Sequence, residues 1–229
     1  MTVHILLTGA TRGIGAAIAA RLGTEDVTFV GTGSADGDLA DPMTPANIWA
    51  NAIERLDGRI DVLINNAGVF EASPIDLPDA EWSASWNRTM QVNLTASAEL
   101  CRFAVQHFLT NKGGRIVNVA SRAAYRGDSP DHWHYAASKA GMVAMTKTIA
   151  RGYAARNILA FAICPGFTMT GMADDYLSSR GGDKLLADIP LGRVADPAEV
   201  AEVVAFAALT APPSMTGAIL DINGASYVR

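Results

Sequence analysis

The opening of the chain restricts its fold more than any other stretch. A short apolar run, Val3–Leu7, leads into Thr8-Gly9-Ala10-Thr11-Arg12-Gly13-Ile14-Gly15 and then into AAIAARL, which has helical character. A strand, a glycine-rich turn and a helix in that order point backbone N–H groups and a helix amino terminus at one spot, which suits a phosphate. Gly9 permits the tight turn, Gly13 lets the backbone approach a pyrophosphate, and Gly15 allows close helix–strand packing. The spacing is TGxxxGxG rather than GxGxxG, and an ordinary tight turn is the plain alternative. Its place after the first strand and before the first helix favours the phosphate.

The alternation continues along the chain. Further strands are predicted at Val27–Val30, Ile60–Asn65, Arg115–Ala120, Ile158–Cys164 and Ala218–Ile222. Between them, a helix is predicted over Thr44–Leu56, with Thr44 as N-cap, Pro45 as first residue, and Ile48, Ala52 and Leu56 on one face. Glu81–Leu109 forms a long, interrupted helical stretch, and Pro197–Leu209 a helix capped by Asp196. This pattern predicts an α/β fold, a single-domain Rossmann-type doubly wound parallel sheet of six strands. No Pro/Ser-rich linker, charge block or repeat divides residues 1–229, so one dinucleotide-binding catalytic domain is expected. Only the polar stretch Gly31–Pro42 separates the second strand from the next helix. That is too short for a crossover helix and another strand, so the usual edge βα unit after the second strand is missing or shortened. Phe167–Asp188 (residues 167–188), with Gly171, Gly181 and Gly182, reads as a flap.

Ser121, Tyr135 and Lys139 form the candidate catalytic constellation. Tyr135 and Lys139 stand at i and i+4 and share a helix face. A free phenol titrates near 10, and a nearby ammonium favours the phenolate, tuning Tyr135 to pass a proton to or from a substrate oxygen. Ser121 supplies a second hydrogen bond to that oxygen. YxxxK alone arises by chance in many helices. Here Thr8-Gly9, Asn65–Gly68, Ser121 and Pro165-Gly166 all fall at the carboxyl ends of predicted strands, where open α/β sheets bind ligands.

Taken together, TGATRGIG at 8–15, NNAG at 65–68, Asn93, Ser121, YAASK at 135–139, PG at 165–166 and PLGRVADPAEVA at 190–201 resemble the short-chain dehydrogenase/reductase family in its single-domain form. The resemblance covers nearly the whole chain and is greatest to the 3-oxoacyl-carrier-protein reductase branch. It implies that Tyr135 is the acid/base, that Ser121 holds the substrate oxygen, and that Lys139 binds the nicotinamide ribose and lowers the Tyr135 pKa. Asn93 would support a water-linked proton relay to Lys139. Cofactor binding would fall to Thr8, Gly9, Thr11, Arg12, Gly13, Ile14 and Gly15 in the turn, and to Asp38 and Leu39 at the adenine. It would also involve Asn65, Ala67 and Gly68 after the third strand, Tyr135 and Lys139 themselves, and Pro165, Gly166, Thr168 and Thr170 after the fifth. The family's dimer interface resembles helices 81–109 and 135–156, so a homodimer or homotetramer is expected.

The chain departs from the family pattern in three places. The adenine side is shortened, 14 positions separate Ser121 from Tyr135 where 12 or 13 is commoner, and the tail reads NGASYVR. Bulky His132, Trp133 and His134 precede the tyrosine; the two histidines either shape the loop or touch substrate. His4 and His107 read as structural. Met169, Met172, Tyr176 and Leu177 either line an apolar substrate site or simply pack.

The second strand ends in Gly31-Thr32-Gly33-Ser34 without the carboxylate that binds an NAD ribose. With Arg12 in the turn, this favours NADP(H); NAD(H) stays possible through Asp36. A net charge of −5 argues against nucleic acid or an anionic membrane as partner. No run of 18 apolar residues suggests a membrane span, no export signal is visible, and Cys101 and Cys164 lie in apolar contexts, as in a cytoplasmic protein with reduced thiols. No cluster has metal-ligand spacing. The expected activity is hydride transfer between NADP(H), or NAD(H), and a small carbonyl/alcohol substrate. The alternative is a cofactor-binding sensor or scaffold that keeps the fold with little catalysis. A serine hydrolase would need G-x-S-x-G around Ser121, which is absent, and a sugar-nucleotide epimerase a further substrate domain.

Overall fold

The computed structural model describes residues 2–169 and 186–229. Six parallel strands form one sheet: β1 (Val3–Thr8), β2 (Val27–Thr32), β3 (Val62–Asn65), β4 (Gly114–Val119), β5 (Ile158–Pro165) and β6 (Ile219–Ile222), in the order β2-β1-β3-β4-β5-β6. Alternation along each strand feeds two separate cores, because successive side chains leave opposite faces. Ile5, Leu7, Val62, Ile64, Val117, Phe161 and Ile163 pack beneath α1 (Gly13–Leu22) and α7 (Pro197–Ala205). On the other face Leu6, Val30, Leu63, Ile116 and Ala160 meet α2 (Thr44–Arg55), α4 (Ala96–Thr110) and α6 (Trp133–Tyr153). Burial on both faces explains why the strands read as unbroken apolar runs.

The shortened edge is present as expected. Between β2 and α2 lies a single turn of 3₁₀ helix, Ser34–Asp36, and β2 ends the sheet. The α2 start differs by one residue from the sequence expectation. Met43 is the cap and Thr44 the first helical residue, because the Asp41 carboxylate accepts the Met43 N–H at 2.9 Å and the Asp41 carbonyl accepts that of Thr44. The long helical stretch starts at Asp79 as α3 (Asp79–Met90), passes through a π-helical turn at Gln91–Thr95, and continues as α4. Asp196 caps α7 reciprocally with Glu199, as a capping box. His107 accepts the Ile60 N–H at 3.2 Å, which gives it a structural place between α4 and β3. No helix among the described residues is long and apolar enough to cross a membrane.

Of the expected flap, 170–185 lies outside the described residues, and with it Thr170, Gly171, Met172, Tyr176, Leu177, Gly181 and Gly182.

Candidate active site

The glycine-rich turn is held by the end of β3. Thr8 Oγ1, buried at the end of β1, accepts the N–H groups of Asn66 and Ala67, each at 3.1 Å. In return the Asn66 amide donates to the Thr8 and Gly9 carbonyls at 3.2 and 3.0 Å. Gly9 has φ of 68°, and a Cβ there would stand 2.8 Å from the Ala67 Cα. Strand ends and turn are thus stitched together by residues 8, 9, 66 and 67. Asn66 was not among the residues singled out in the sequence, although it lies inside the NNAG motif. At the start of α1 no side chain caps the helix, and its first turn holds no acidic residue. The amides of Gly13, Ile14 and Gly15 therefore face outward with the positive end of the helix dipole, a donor set that fits a pyrophosphate. Thr11 and Arg12 are exposed at the lip, and Arg12 makes no ion pair among the described residues.

Asn65 takes a different direction. Ile64 points into the α1/α7 core, so its neighbour faces the opposite layer. There the Asn65 Nδ2 donates to Asn118 Oδ1 at 2.9 Å and lies near the Ser97 carbonyl at 3.4 Å. Its Oδ1 is buried without a hydrogen-bond partner among the described residues. The side chain is therefore committed beneath the rim, away from the turn.

On the adenine side, Asp38 accepts the Ala40 N–H at 2.9 Å and meets Arg88 of α3 at 3.3 Å. The Ala40 N–H and then Arg88 hold its carboxyl below the usual range. Arg88 also reaches Glu71 at 3.6 Å, and Gln91 Nε2 reaches the Leu39 carbonyl at 3.5 Å. Asp36, three residues past Gly33, folds back so that its carboxylate accepts the Gly33 N–H at 2.8 Å. A carboxylate thus does stand at the exit of β2, supplied by the 3₁₀ turn rather than by the strand.

Ser121 follows β4, and Tyr135 and Lys139 lie in the first turns of α6. Ser121 is buried; its Oγ accepts the Ala123 N–H at 3.1 Å, and it stands near enough to the Tyr135 phenol to favour the phenolate. Lys139 is buried as well, with Nζ donating to the Val119 carbonyl at 2.9 Å and lying 5.8 Å from the centre of the Tyr135 ring. Burial dominates the titration of both groups. It pushes the Tyr135 phenol up to about 12, with the nearby Ser121 acting in the opposite direction, and pulls Lys139 down to about 8. The sequence expectation had the ammonium lowering the phenol. Desolvation dominates here, because the half-buried phenol and the buried ammonium are both drawn away from water, which disfavours the charged form of either.

Asn93 lies fully buried in the π-helical turn. Its Oδ1 accepts the Val69 N–H at 2.8 Å, and its Nδ2 donates to the Val69 carbonyl at 3.0 Å and approaches Ser138 Oγ at 3.3 Å. These bonds commit the Asn93 side chain to the loop that follows β3. Gly68 fits between it and Lys139: a Cβ there would lie 3.2 Å from Asn93 Oδ1 and 3.6 Å from Lys139 Nζ. Beyond β5, the Gly166 N–H donates to Ile222 at 2.9 Å, and the Pro165 carbonyl accepts the Arg122 N–H at 2.9 Å. Thr168 is buried with its hydroxyl on the Gly166 carbonyl at 3.2 Å. The two histidines before Tyr135 part ways. His134 is buried, with Nε2 3.5 Å from Ser85 Oγ, whereas His132 stacks on Phe70. No group of three or more metal-ligating side chains occurs among the described residues.

A half-buried phenol, a hydroxyl and an ammonium therefore share one rim with an uncapped helix amino terminus. The family model described as enoyl-(acyl carrier protein) reductase matches residues 30–225. The 3-oxoacyl-[acyl-carrier-protein] reductase FabG of Vibrio cholerae is 33% identical, over 97% of this chain and 96% of that protein. The corresponding protein of Thermotoga maritima is 39% identical over 73% of this chain and 66% of its own length. Among solved structures, the ligand-free aldohexose dehydrogenase of Thermoplasma acidophilum superposes with a TM-score of 0.87 at 26% identity, covering 100% of this chain and 95% of its own. A variant of the actinorhodin polyketide ketoreductase with NADPH gives 0.84 at 28% identity, covering 97% and 96%.

Proposed function

Because the chain belongs to the short-chain dehydrogenase/reductase family, we propose that it is an NADP(H)-dependent reductase of small carbonyl compounds in which Tyr135 is the proton donor. The observation that carries this reading is the convergence at one strand end of the buried Ser121, the half-buried Tyr135 phenol and the buried Lys139 ammonium, 5.8 Å from the Tyr135 ring. A reduced nicotinamide dinucleotide would supply the hydride when bound. The Gly13–Gly15 amides would hold its pyrophosphate, while Asp38 and Leu39 would border the adenine. The Thr168 N–H, which donates to no group among the described residues, is available to the nicotinamide.

Tyr135 donates its proton to the carbonyl oxygen as negative charge develops there, and Ser121 gives that oxygen a second hydrogen bond. A phenol held near 12 stays protonated at neutral pH, so the resting residue is an acid, which suits reduction of a carbonyl. Lys139 stabilises the tyrosinate left behind through its charge, and at neutral pH a group titrating near 8 still carries most of that charge.

Support for NADP(H) comes from the ketoreductase neighbour with NADPH and from the exposed Arg12 at the lip of the turn. Asp36 opposes it, since a carboxylate at the exit of β2 favours a ribose hydroxyl over a phosphate. Absorbance assays of NADPH and NADH oxidation against a panel of carbonyl compounds test the reading. We expect turnover with NADPH; no turnover of any carbonyl with either cofactor, despite tight cofactor binding, would favour the sensor or scaffold instead.

A further inference from the structure

We propose that Phe70 is a positioning residue for Tyr135, its ring stacked on His132 and the residue before it held by Asn93. The Phe70 ring meets the Tyr135 ring edge-on, with centroids 4.7 Å apart and planes at 82°. This is the arrangement that the quadrupoles of two aromatic rings favour. The same ring is stacked on His132 at 3.9 Å and 7°. His132 is itself fixed, its Nδ1 lying 2.7 Å from Ser129 Oγ. The Ser73 N–H donates to the Asp131 carbonyl at 2.8 Å, which ties the two loops to each other.

The backbone just before Phe70 is clamped more firmly still. Asn93 bonds both the N–H and the carbonyl of Val69. Its Nδ2 also approaches Ser138, whose hydroxyl donates to the Tyr135 carbonyl at 2.7 Å. One buried amide therefore holds the loop that carries Phe70 and the helical turn that carries Tyr135. The helix alone fixes the Tyr135 backbone but leaves the phenol free to move among rotamers. Phe70 removes that freedom at the ring. A displacement of about 1 Å at a reacting group costs on the order of 100-fold in rate, so holding the ring has kinetic consequence.

The ring also shields one flank of the phenol from water. Around Tyr135 stand the Ser121 hydroxyl from the end of β4, Lys139 on its own helix, Asp128 and His132 from the loop before α6, and Cys164 from β5. None of these replaces the shielding given by Phe70.

The inference rests on the proposed role of Tyr135, and the test separates the two. Phe70→Leu, His132→Ala and His132→Phe are each made in the parent and in a Tyr135→Phe background. Stopped-flow pH jumps, faster than unfolding, follow tyrosinate absorbance, and the difference between each pair isolates Tyr135. Steady-state carbonyl reduction with NADPH gives kcat and KM. Phe70→Leu is expected to lower kcat by about 10-fold with KM for NADPH unchanged, and to let Tyr135 ionise at lower pH. His132→Ala acts in the same direction more weakly, and His132→Phe, which keeps the stack, restores both readouts. An unmoved Tyr135 titration or an unchanged kcat in Phe70→Leu overturns the inference. If the parent reduces no carbonyl, the proposed function fails, and the tyrosinate titration still decides whether Phe70 governs the phenol.

Discussion

Two flanks of the same rim are held by different kinds of contact. Around Tyr135, the supporting side chains of Asn93, Ser121, Ser138 and Lys139 are all buried, and each is bonded to backbone or to another buried group. Around Asp38, the charged support is Arg88, water-exposed like Asp38 itself, which pairs with Asp38 at 3.3 Å and with Glu71 at 3.6 Å. Buried hydrogen bonds are expensive to break because the abandoned partner stays desolvated, whereas exposed ion pairs contribute roughly 0–1 kcal/mol and weaken with salt. The contrast follows from the sheet. The flank with Tyr135 has strands on both sides, while the adenine flank ends at β2, with no further strand among the described residues to enclose it. One flank is therefore preorganised, and the other is set by a few weak contacts.

The sharpest test of this contrast removes the phenol's hydroxyl. Tyr135→Phe should lower kcat by about 10²–10⁴-fold while NADPH binding, measured by fluorescence titration, stays as in the parent. Substituting the brace comes next. Asn93→Ala leaves both polar groups of Val69 without their partner and should cost about 2–3 kcal/mol in urea unfolding.

Lys139 gives a signed pH test of how enclosed the Tyr135 flank is. Its folded value near 8 lies below the ordinary 10.5, so between those values the unfolded chain holds a proton that the folded chain has released. Stability therefore rises with pH in that window. Relative to Lys139→Met, the parent should gain about 3 kcal/mol between pH 8 and 10.5. Tyr135 acts in the opposite sense between 10 and about 12, so the pair is best compared in a Tyr135→Phe background. An unchanged difference across the window would mean that water reaches Lys139 and that the flank is open. The smallest effect belongs to the adenine side. Arg88→Ala should change stability by less than about 1 kcal/mol and weaken NADPH binding a few-fold at low salt, with the difference vanishing at high salt. A loss that persists in high salt would erase the distinction between the flanks.

Much of the architecture is legible in the residues. Strands buried on both faces, such as β1 and β5, need no partner information to be recognised, and the shortness of Gly31–Pro42 rules out a further strand there by length alone. Side-chain direction at strand ends is harder. Asn65 and Asn66 are chemically identical neighbours, yet one turns into the α4 layer and the other back to Gly9, which depends on where Ile64 packs. The shift at Tyr135 depends on three-dimensional burial rather than on the i, i+4 spacing to Lys139. Phe70 lies next to a recognisable motif, but its contact with Tyr135 arises where separate loops meet, and no periodicity carries that information. Asp36 is the intermediate case: its position was open in the sequence, and the local 3₁₀ turn settles it.

The π-helical turn at Gln91–Thr95 has a consequence for how insertions and deletions would be tolerated. An α-helix advances by about 100° per residue, so the one extra residue in a π turn sets the angular phase of α4 against α3. Deleting a residue there would restore a regular helix but rotate Leu100, Ala104 and Phe108 out of the apolar layer, or else rotate α3 away from α6. A length change in the exposed Gly31–Pro42 segment meets no such gearing. The chain that has already given up a whole unit beside β2 is thus intolerant of losing a single residue in the middle of its longest helical run.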